Sequence, residues 1–230
     1  MGLSQHSANA LVILTKAPQP GQSKTRLVPP LSYAEAADLA RTLLLDQLQN
    51  LATFGGARLF IAFTPETAAG FFDGFIAQGF TCFAQRGQSL GERMSHAFEH
   101  LFASGFANVI LIGSDLPALP VRFLQQAYAW LENSADIVLG PSADGGYYLI
   151  AMNRMITAIF DDIGWSSSDV LSQTIQKLDD LSLKHELLCE WYDIDTAKDL
   201  ERLQSQAKCR EVAMKNTFAL LNDLRQRGRL

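Results

Sequence analysis

Residues 15–27, TKAPQPGQSKTRL, carry Lys16, Lys24 and Arg26 on a segment stiffened by Pro18 and Pro20 and turned at Gly21. Cations on a restricted backbone suit a multiply charged anion, because gathering flexible cations around one ligand otherwise costs side-chain and backbone entropy. The core GQSKT resembles the Walker A pattern G-x-x-x-x-G-K-[ST]. With Lys24 and Thr25 in the last two places, however, the glycine places fall on Pro18 and Ser23. Without those glycines the backbone amides cannot wrap phosphates at close range, which argues against a P-loop NTPase. A di- or triphosphate cradle and an ordinary basic turn remain.

Three further stretches carry chemistry. In GSDLPALP, from Gly113, Asp115 follows a strongly apolar run and precedes Pro117. A carboxylate there can hold a divalent cation that bridges phosphate oxygens, or Ser114 and Asp115 can cap the next helix. In GPSADGGYYLIAM, Asp144, Gly145 and Gly146 can form a hairpin turn or let backbone approach a ligand, with Tyr147 and Tyr148 alongside. In WYDIDTAKDL, Asp193 and Asp195 share a side if the segment is extended and can supply a second metal carboxylate. Alternatively, Asp195 or Thr196 caps the helix AKDLERLQ. His96 and His100 flank an apolar helix face with no third ligand at usable spacing, so solvated histidines are expected.

These residues are carried by alternating elements. ALVILT (10–15), ARLFIAF (57–63), FTCFA (80–84) and NVILIG (108–113) read as strands. The segment after Leu31 reads as a helix with a Ser32/Glu35 capping box and Tyr33, Ala37, Ala40, Leu44, Leu48 and Leu51 on its buried face. Residues 91–105 form a second helix, burying Met94, Ala97, Phe98 and Leu101 and ending at Gly105. A third covers 121–132, and DIVLG and YYLIAM flank the turn SADGG. Ser168 is a plausible cap for a helix after Trp165. This alternation predicts a single α/β domain with a mostly parallel sheet and helices on both faces, binding ligands at the carboxyl ends of its strands. From about residue 205 a helical, more polar extension is expected, with RQRGRL a solvated end or a complement to a helix terminus.

The 230-residue length fits one core, and 48% apolar residues fill it. A net charge of -5 argues against a nucleic-acid binder, so any anion site must be local. Cys82, Cys189 and Cys209 are scattered and form no CxxC pair, as reduced cytoplasmic thiols do. The apolar run ending at Lys16 is too short for a signal peptide or membrane span, so a cytoplasmic protein is expected.

The blocks KAPQPGQSKTRL, SLGERMSHAF, LIGSDLPAL, VLGPSADGGYYLI, Trp165 to Leu171 and YDIDTAKDL, in that order, resemble the bacterial radical-SAM/selenodomain-associated transferase 1 family. That group belongs to the nucleotide-diphospho-sugar transferase superfamily. The layout is similar to that of 2-phospho-lactate guanylyltransferases and molybdenum-cofactor nucleotidyltransferases. The resemblance implies a GT-A, Rossmann-like three-layer sandwich using a nucleotide and a small-molecule acceptor, with Mg²⁺ or Mn²⁺. It implies no nucleic-acid or membrane partner and is compatible with a homodimer.

Lys16, Gly21, Lys24, Arg26 and Ser114 would then hold nucleotide phosphates, with Gly91 and Arg93 near the base. Asp115 would bind the metal with Asp193 or Asp195, and Gly145, Gly146 and Tyr147 would line the acceptor side. Lys24, Arg26, Asp115 and Asp144 would carry catalysis. Nucleotidyl transfer from a nucleoside triphosphate to a phosphate- or phosphonate-bearing acceptor is the leading expectation. Sugar transfer from a nucleotide-diphospho-sugar, with Asp144 as base, and a non-catalytic nucleotide-binding module are the alternatives. Ser89 stands where family members often have an acidic residue, and GSDLP holds one Asp in place of a DxD pair.

Overall fold

The computed structural model describes residues 8–165, 167–205 and 212–230; Cys209 lies outside them. The described elements are β1 (Asn9–Lys16), α1 (Tyr33–Ala52), β2 (Arg58–Thr64), α2 (Asp73–Ile76), β3 (Thr81–Ala84), α3 (Leu90–Ala103), β4 (Asn108–Gly113), α4 (Val121–Asn133), β5 (Ile137–Pro141), β6 (Tyr147–Met152), α5 (Val170–Asp180), β7 (His185–Leu187), α6 (Ala197–Ser205) and a last helix, α7 (Lys215–Gln226). One seven-stranded sheet runs in the order β3-β2-β1-β4-β6-β5-β7. Pairs β1–β2, β1–β4, β2–β3 and β5–β7 are parallel, and β6 runs antiparallel to both β4 and β5. This is the mostly parallel three-layer α/β sandwich expected from the alternation of elements.

Side-chain alternation along the strands builds the two faces. Leu11, Ile13, Ile61, Ile110 and Ile112 pack with Leu44, Leu48 and Leu51 of α1 and Phe123 and Leu124 of α4. Ala10, Val12, Ala62, Val109 and Leu111 pack with Met94, Phe98 and Leu101 of α3 and Leu178 of α5 on the other face. After β1 the chain adds β2 and β3 on one side and places β4 on the other. The carboxyl ends of β1 and β4 therefore bound the crevice where open α/β sheets take ligands.

Helix α1 has its capping box: Ser32 Oγ accepts from Glu35 N while Glu35 Oε2 accepts from Ser32 N. Tyr33 departs from its expected place, being 54% exposed; at the first helical residue it precedes the stripe that begins at Ala36 and Ala37. The tail is also not simply solvated. The Arg229 guanidinium donates to Glu35 and to the Pro30 carbonyl, and this pairing holds the Glu35 carboxyl down at about 2. Ser168 is not the cap of α5, whose N-cap is Asp169 with no side-chain cap bond.

The last helix lies on α1, where Phe218, Leu221 and Leu224 join Leu39 and Leu43 in a third core cluster. Its amino end is held by a side chain from α1: Asp46, 3% exposed, accepts from Asn216 N, Asn216 Nδ2 and Thr217 N at 2.9, 2.7 and 2.8 Å. A carboxylate satisfies orphan amides there and meets the positive end of the helix dipole. Asp46→Ala strands those amides, so chemical denaturation is expected to show a loss of about 3 kcal/mol.

Candidate active site

A cleft of about 710 Å³ opens at the carboxyl ends of β1 and β4, bounded by the 16–26 loop, the 113–115 turn, the 142–147 hairpin, Trp165 and the 193–195 segment. Of the residues expected to bind ligand, Lys16, Lys24, Arg26, Arg93, Ser114, Asp115, Asp144, Gly146, Tyr147, Asp193 and Asp195 line it.

The 16–26 loop is shaped by its own hydrogen bonds. Gln22 N and Ser23 N both donate to Gln19 O, and Gln19 N donates back to Ser23 Oγ. Lys24 then takes the left-handed region at φ 52°, ψ 36° before a 3-10 turn at Thr25–Leu27. That conformation turns its side chain inward until it is only 3% exposed, with Nζ 2.8 Å from Asp115 Oδ2 and 2.9 Å from Asp195 Oδ1. Burial opposes the ammonium, but Asp115 and then Asp195 outweigh it and raise its pKa. Lys24 therefore stands as the cation of a carboxylate pair, where the sequence suggested a free phosphate ligand. Lys16 and Arg26 are exposed on the same cleft.

Two long-range contacts place the carboxylates. The Gly113 carbonyl at the end of β4 accepts from Gln47 Nε2 of α1 at 2.9 Å, and Ile194 N donates to Asp115 O at 3.2 Å. Trp191 Nε1 donates to Pro117 O at 3.1 Å, and the chain at Trp191 is bridged in parallel to Ser142. The 191–195 segment is thus laid against both the Asp115 turn and the hairpin. Ser114 and Asp115 do not cap α4, and it is Thr196, not Asp195, that directly precedes α6, its carbonyl accepting from Asp199 N and Leu200 N. Helix α4 starts from Pro120, and at α6 it is Asp199 Oδ2 that reaches back to Asp195 N, Thr196 N and Thr196 Oγ1. The Asp115 and Asp195 carboxylates stay on Lys24.

Asp193 behaves differently. Desolvation first, then repulsion from Asp115, pushes its carboxyl up to about 7, against the pull of Lys24. Between its ordinary value of 3.8 and about 7 the unfolded chain has released this proton while the folded chain keeps it. The folded state binds more protons in that window, so the Asp193 contribution to stability falls as pH rises through it. Asp193→Asn is expected to be more stable than the parent at pH 8 by on the order of 2 kcal/mol and equal to it at pH 4, by denaturant titration.

Three expected ligand-side glycines do structural work instead. Gly21, at φ +75°, is exposed at the loop tip outside the cleft lining. A Cβ on Gly91 would meet the Trp165 indole at 2.7 Å, and one on Gly145, at φ +89°, would meet the Ser168 carbonyl oxygen at 2.0 Å. Gly91 and Gly145 let Trp165 and the 167–171 segment close onto the cleft. Asp144 forms a local turn, its Oδ1 accepting from Gly146 N at 3.1 Å. The Tyr147 ring lines the wall, with its phenol pushed up by burial and partly offset by Thr174. His96 is partly buried, which lowers its pKa, while the His100 ring lies against Phe83, centroids 4.5 Å apart and planes tilted by 41°.

Gln85, Ser142 and Trp165 also line the cleft; Ser142 and Trp165 lie within blocks that carry the family resemblance, whereas no motif marked Gln85. Gln85 Nε2 donates to Thr15 O and Ala62 O at 3.0 and 2.7 Å, pinning the ends of β1 and β2.

Hard oxygen donors around one cation position suit Mg²⁺ or Mn²⁺. Asp115 and Asp195 converge on such a position, marked by the Lys24 ammonium, with Asp193 close enough to be shifted by both. Among the described residues no group of three or more His, Cys, Asp or Glu side chains forms a ready-made metal site. An ion there must complete its shell with ligand oxygens and water. No described helix is long and apolar enough to cross a membrane.

Fold and site together define a GT-A-like, Rossmann-type α/β protein with a cation- and carboxylate-lined cleft at the strand ends. The chain belongs to the DUF2064 family, described as "Uncharacterized protein conserved in bacteria", which matches residues 47–167. A Desulfovibrio desulfuricans G20 structure provisionally assigned as a nucleotide-diphospho-sugar transferase is 34% identical, with a TM-score of 0.88 over 96% of each chain. The 4-diphosphocytidyl-2C-methyl-D-erythritol synthase of Anaerococcus prevotii DSM 20548 shares the fold at 10% identity and TM-score 0.60, over 87% of this chain and 97% of that one. A cytidylyltransferase from Leptospira borgpetersenii does so at 12% identity and TM-score 0.56, over 97% and 96%. No curated protein matches the sequence significantly.

Proposed function

We propose that this protein is a nucleotide-using transferase, and that it moves a nucleotidyl group from a nucleoside triphosphate to a phosphate- or phosphonate-bearing small acceptor. The observation that carries this reading is the convergence of Lys16, Arg26 and Arg93 with the Lys24–Asp115–Asp195 cluster on one cleft at the strand ends. Such chemistry asks for positioning and charge neutralisation, and no protein nucleophile.

An acceptor phosphate oxygen attacks the α-phosphorus, the bond from that phosphorus to the bridging oxygen breaks, and pyrophosphate leaves. Lys16 and Arg26 orient the triphosphate and offset charge on the leaving group, with Arg93 on the side of the base. Asp115, with Asp193 or Asp195, would hold a Mg²⁺ or Mn²⁺ ion that, when bound, neutralises charge on phosphate oxygens. Gly146, Tyr147 and Asp144 face the acceptor. The narrower placement in the radical-SAM/selenodomain-associated transferase 1 group rests on the order of the sequence blocks and belongs to the same proposal.

The 34% identity to a protein provisionally assigned as a nucleotide-diphospho-sugar transferase favours a second reading, sugar transfer. There Asp144 would deprotonate an acceptor hydroxyl, and the cations would hold the departing diphosphate. Thermal shift with nucleoside triphosphates and with nucleotide sugars, each with and without Mg²⁺, separates the two. Triphosphate stabilisation with pyrophosphate release on adding acceptor is expected. Stabilisation confined to a nucleotide sugar selects the second reading, and none by any nucleotide removes both.

A further inference from the structure

The position between Asp115 and Asp195 already holds a cation, and that cation belongs to the chain. Lys24 Nζ lies 2.8 Å from one carboxylate and 2.9 Å from the other, on a side chain only 3% exposed. A divalent ion held at about 2.1 Å by the same two oxygens, Asp115 Oδ2 and Asp195 Oδ1, would occupy the volume of that ammonium. The two cannot be bound there together.

We propose that Lys24 and a divalent cation compete for the Asp115–Asp195 pair: Lys24 holds the pair without metal, and the metal displaces its ammonium into the cleft. This rests on the nucleotide-using reading only for where the ammonium goes next. Electrostatics allows the exchange, because one ammonium leaves two carboxylates under-neutralised, whereas a divalent ion supplies the missing charge. The carboxylates stay within reach of solvent, at 41% and 45% exposure, so an ion can approach without unfolding the loop.

The displaced ammonium enters a cleft that already carries Lys16, Arg26 and Arg93, and four cations there repel one another until a polyanion arrives. Metal alone is therefore held weakly, while metal and nucleotide phosphates strengthen each other, as linkage requires when both favour the same lysine position. The sequence hid this relation, since Lys24 lies 171 residues from Asp195.

Mn²⁺ titration of the nucleotide-free protein, followed by electron paramagnetic resonance, tests the competition. Lys24→Met is expected to bind Mn²⁺ at least tenfold tighter than the parent, and adding Asp115→Asn to it to abolish the gain. On the unmutated protein, acylation of Lys24 by a small amine reagent, read by peptide mass spectrometry, should be slow without metal and at least fivefold faster at saturating Mn²⁺. Unchanged or weaker Mn²⁺ binding in Lys24→Met, or acylation indifferent to Mn²⁺, overturns the proposal. Neither readout involves nucleotide, so failure of the transferase reading would leave them intact.

Discussion

Asp115→Asn is expected to lower nucleotide-dependent turnover about 10³-fold, the scale on which removal of one electrostatic catalytic group acts. The substitution keeps the shape of the side chain and removes its charge. It takes from the site one of the two carboxylates that converge on Lys24. The fold responds only in part, because the buried Lys24 ammonium loses Asp115 but keeps Asp195 at 2.9 Å. The backbone of the turn remains tied through Gln47 to the Gly113 carbonyl and through Ile194 N to the residue 115 carbonyl, and the altered group is 41% exposed. The melting temperature should move by no more than a few degrees, while Mg²⁺-dependent stabilisation by nucleotide disappears. Steady-state kinetics beside thermal shift provides the check, and a variant that keeps full turnover would remove Asp115 from the chemistry.

Gly145→Ala should be the most damaging single-methyl change near the cleft, costing about 3 kcal/mol. Two independent penalties meet there. The residue sits at φ +89°, where an L side chain is strained, and its new Cβ would lie 2.0 Å from the Ser168 carbonyl oxygen. That neighbour is backbone, and the segment is also tied to the turn by Leu171 N donating to Gly145 O at 2.9 Å, so relief requires moving the 167–171 stretch. For a chain of this size the melting temperature should fall by roughly 6–12 °C, with weakened ligand binding because Ser167, Ser168 and Trp165 form one wall of the cleft. Gly146→Ala is the matched control. Its Cβ would meet nothing closer than Asp144 Oδ1 at 3.4 Å, and a loss within about 1 kcal/mol is expected. Equal melting temperatures for the two variants would show that the turn accommodates Ala at 145.

Period and composition made much of the scaffold legible. The run NVILIG read as the strongest buried strand in the sequence, and it is β4 at the centre of the sheet. Met94, Ala97, Phe98 and Leu101 recur on one side of a helix, and all four are buried. Where the sequence misled, the deciding partner lay far along the chain. Arg229 looked like part of a solvated tail because Glu35 stands 194 residues before it. Gly91 and Gly145 looked like ligand glycines because no local signal shows that Trp165 and Ser168 close over them.

By itself the sequence determined the alternating α/β order, the absence of a P-loop at GQSKT, and a stock of cations and carboxylates placed just after strands. Local sterics and hydrophobic period govern those features, and both act within a few residues. Only the tertiary structure decided what each charge does. It turned Lys24 inward onto Asp115 and Asp195, left Lys16 and Arg26 on the cleft wall, and withdrew Asp193 from water until its carboxyl titrates near 7. Charge–charge energies depend on separation and burial in space, and sequence distance carries neither.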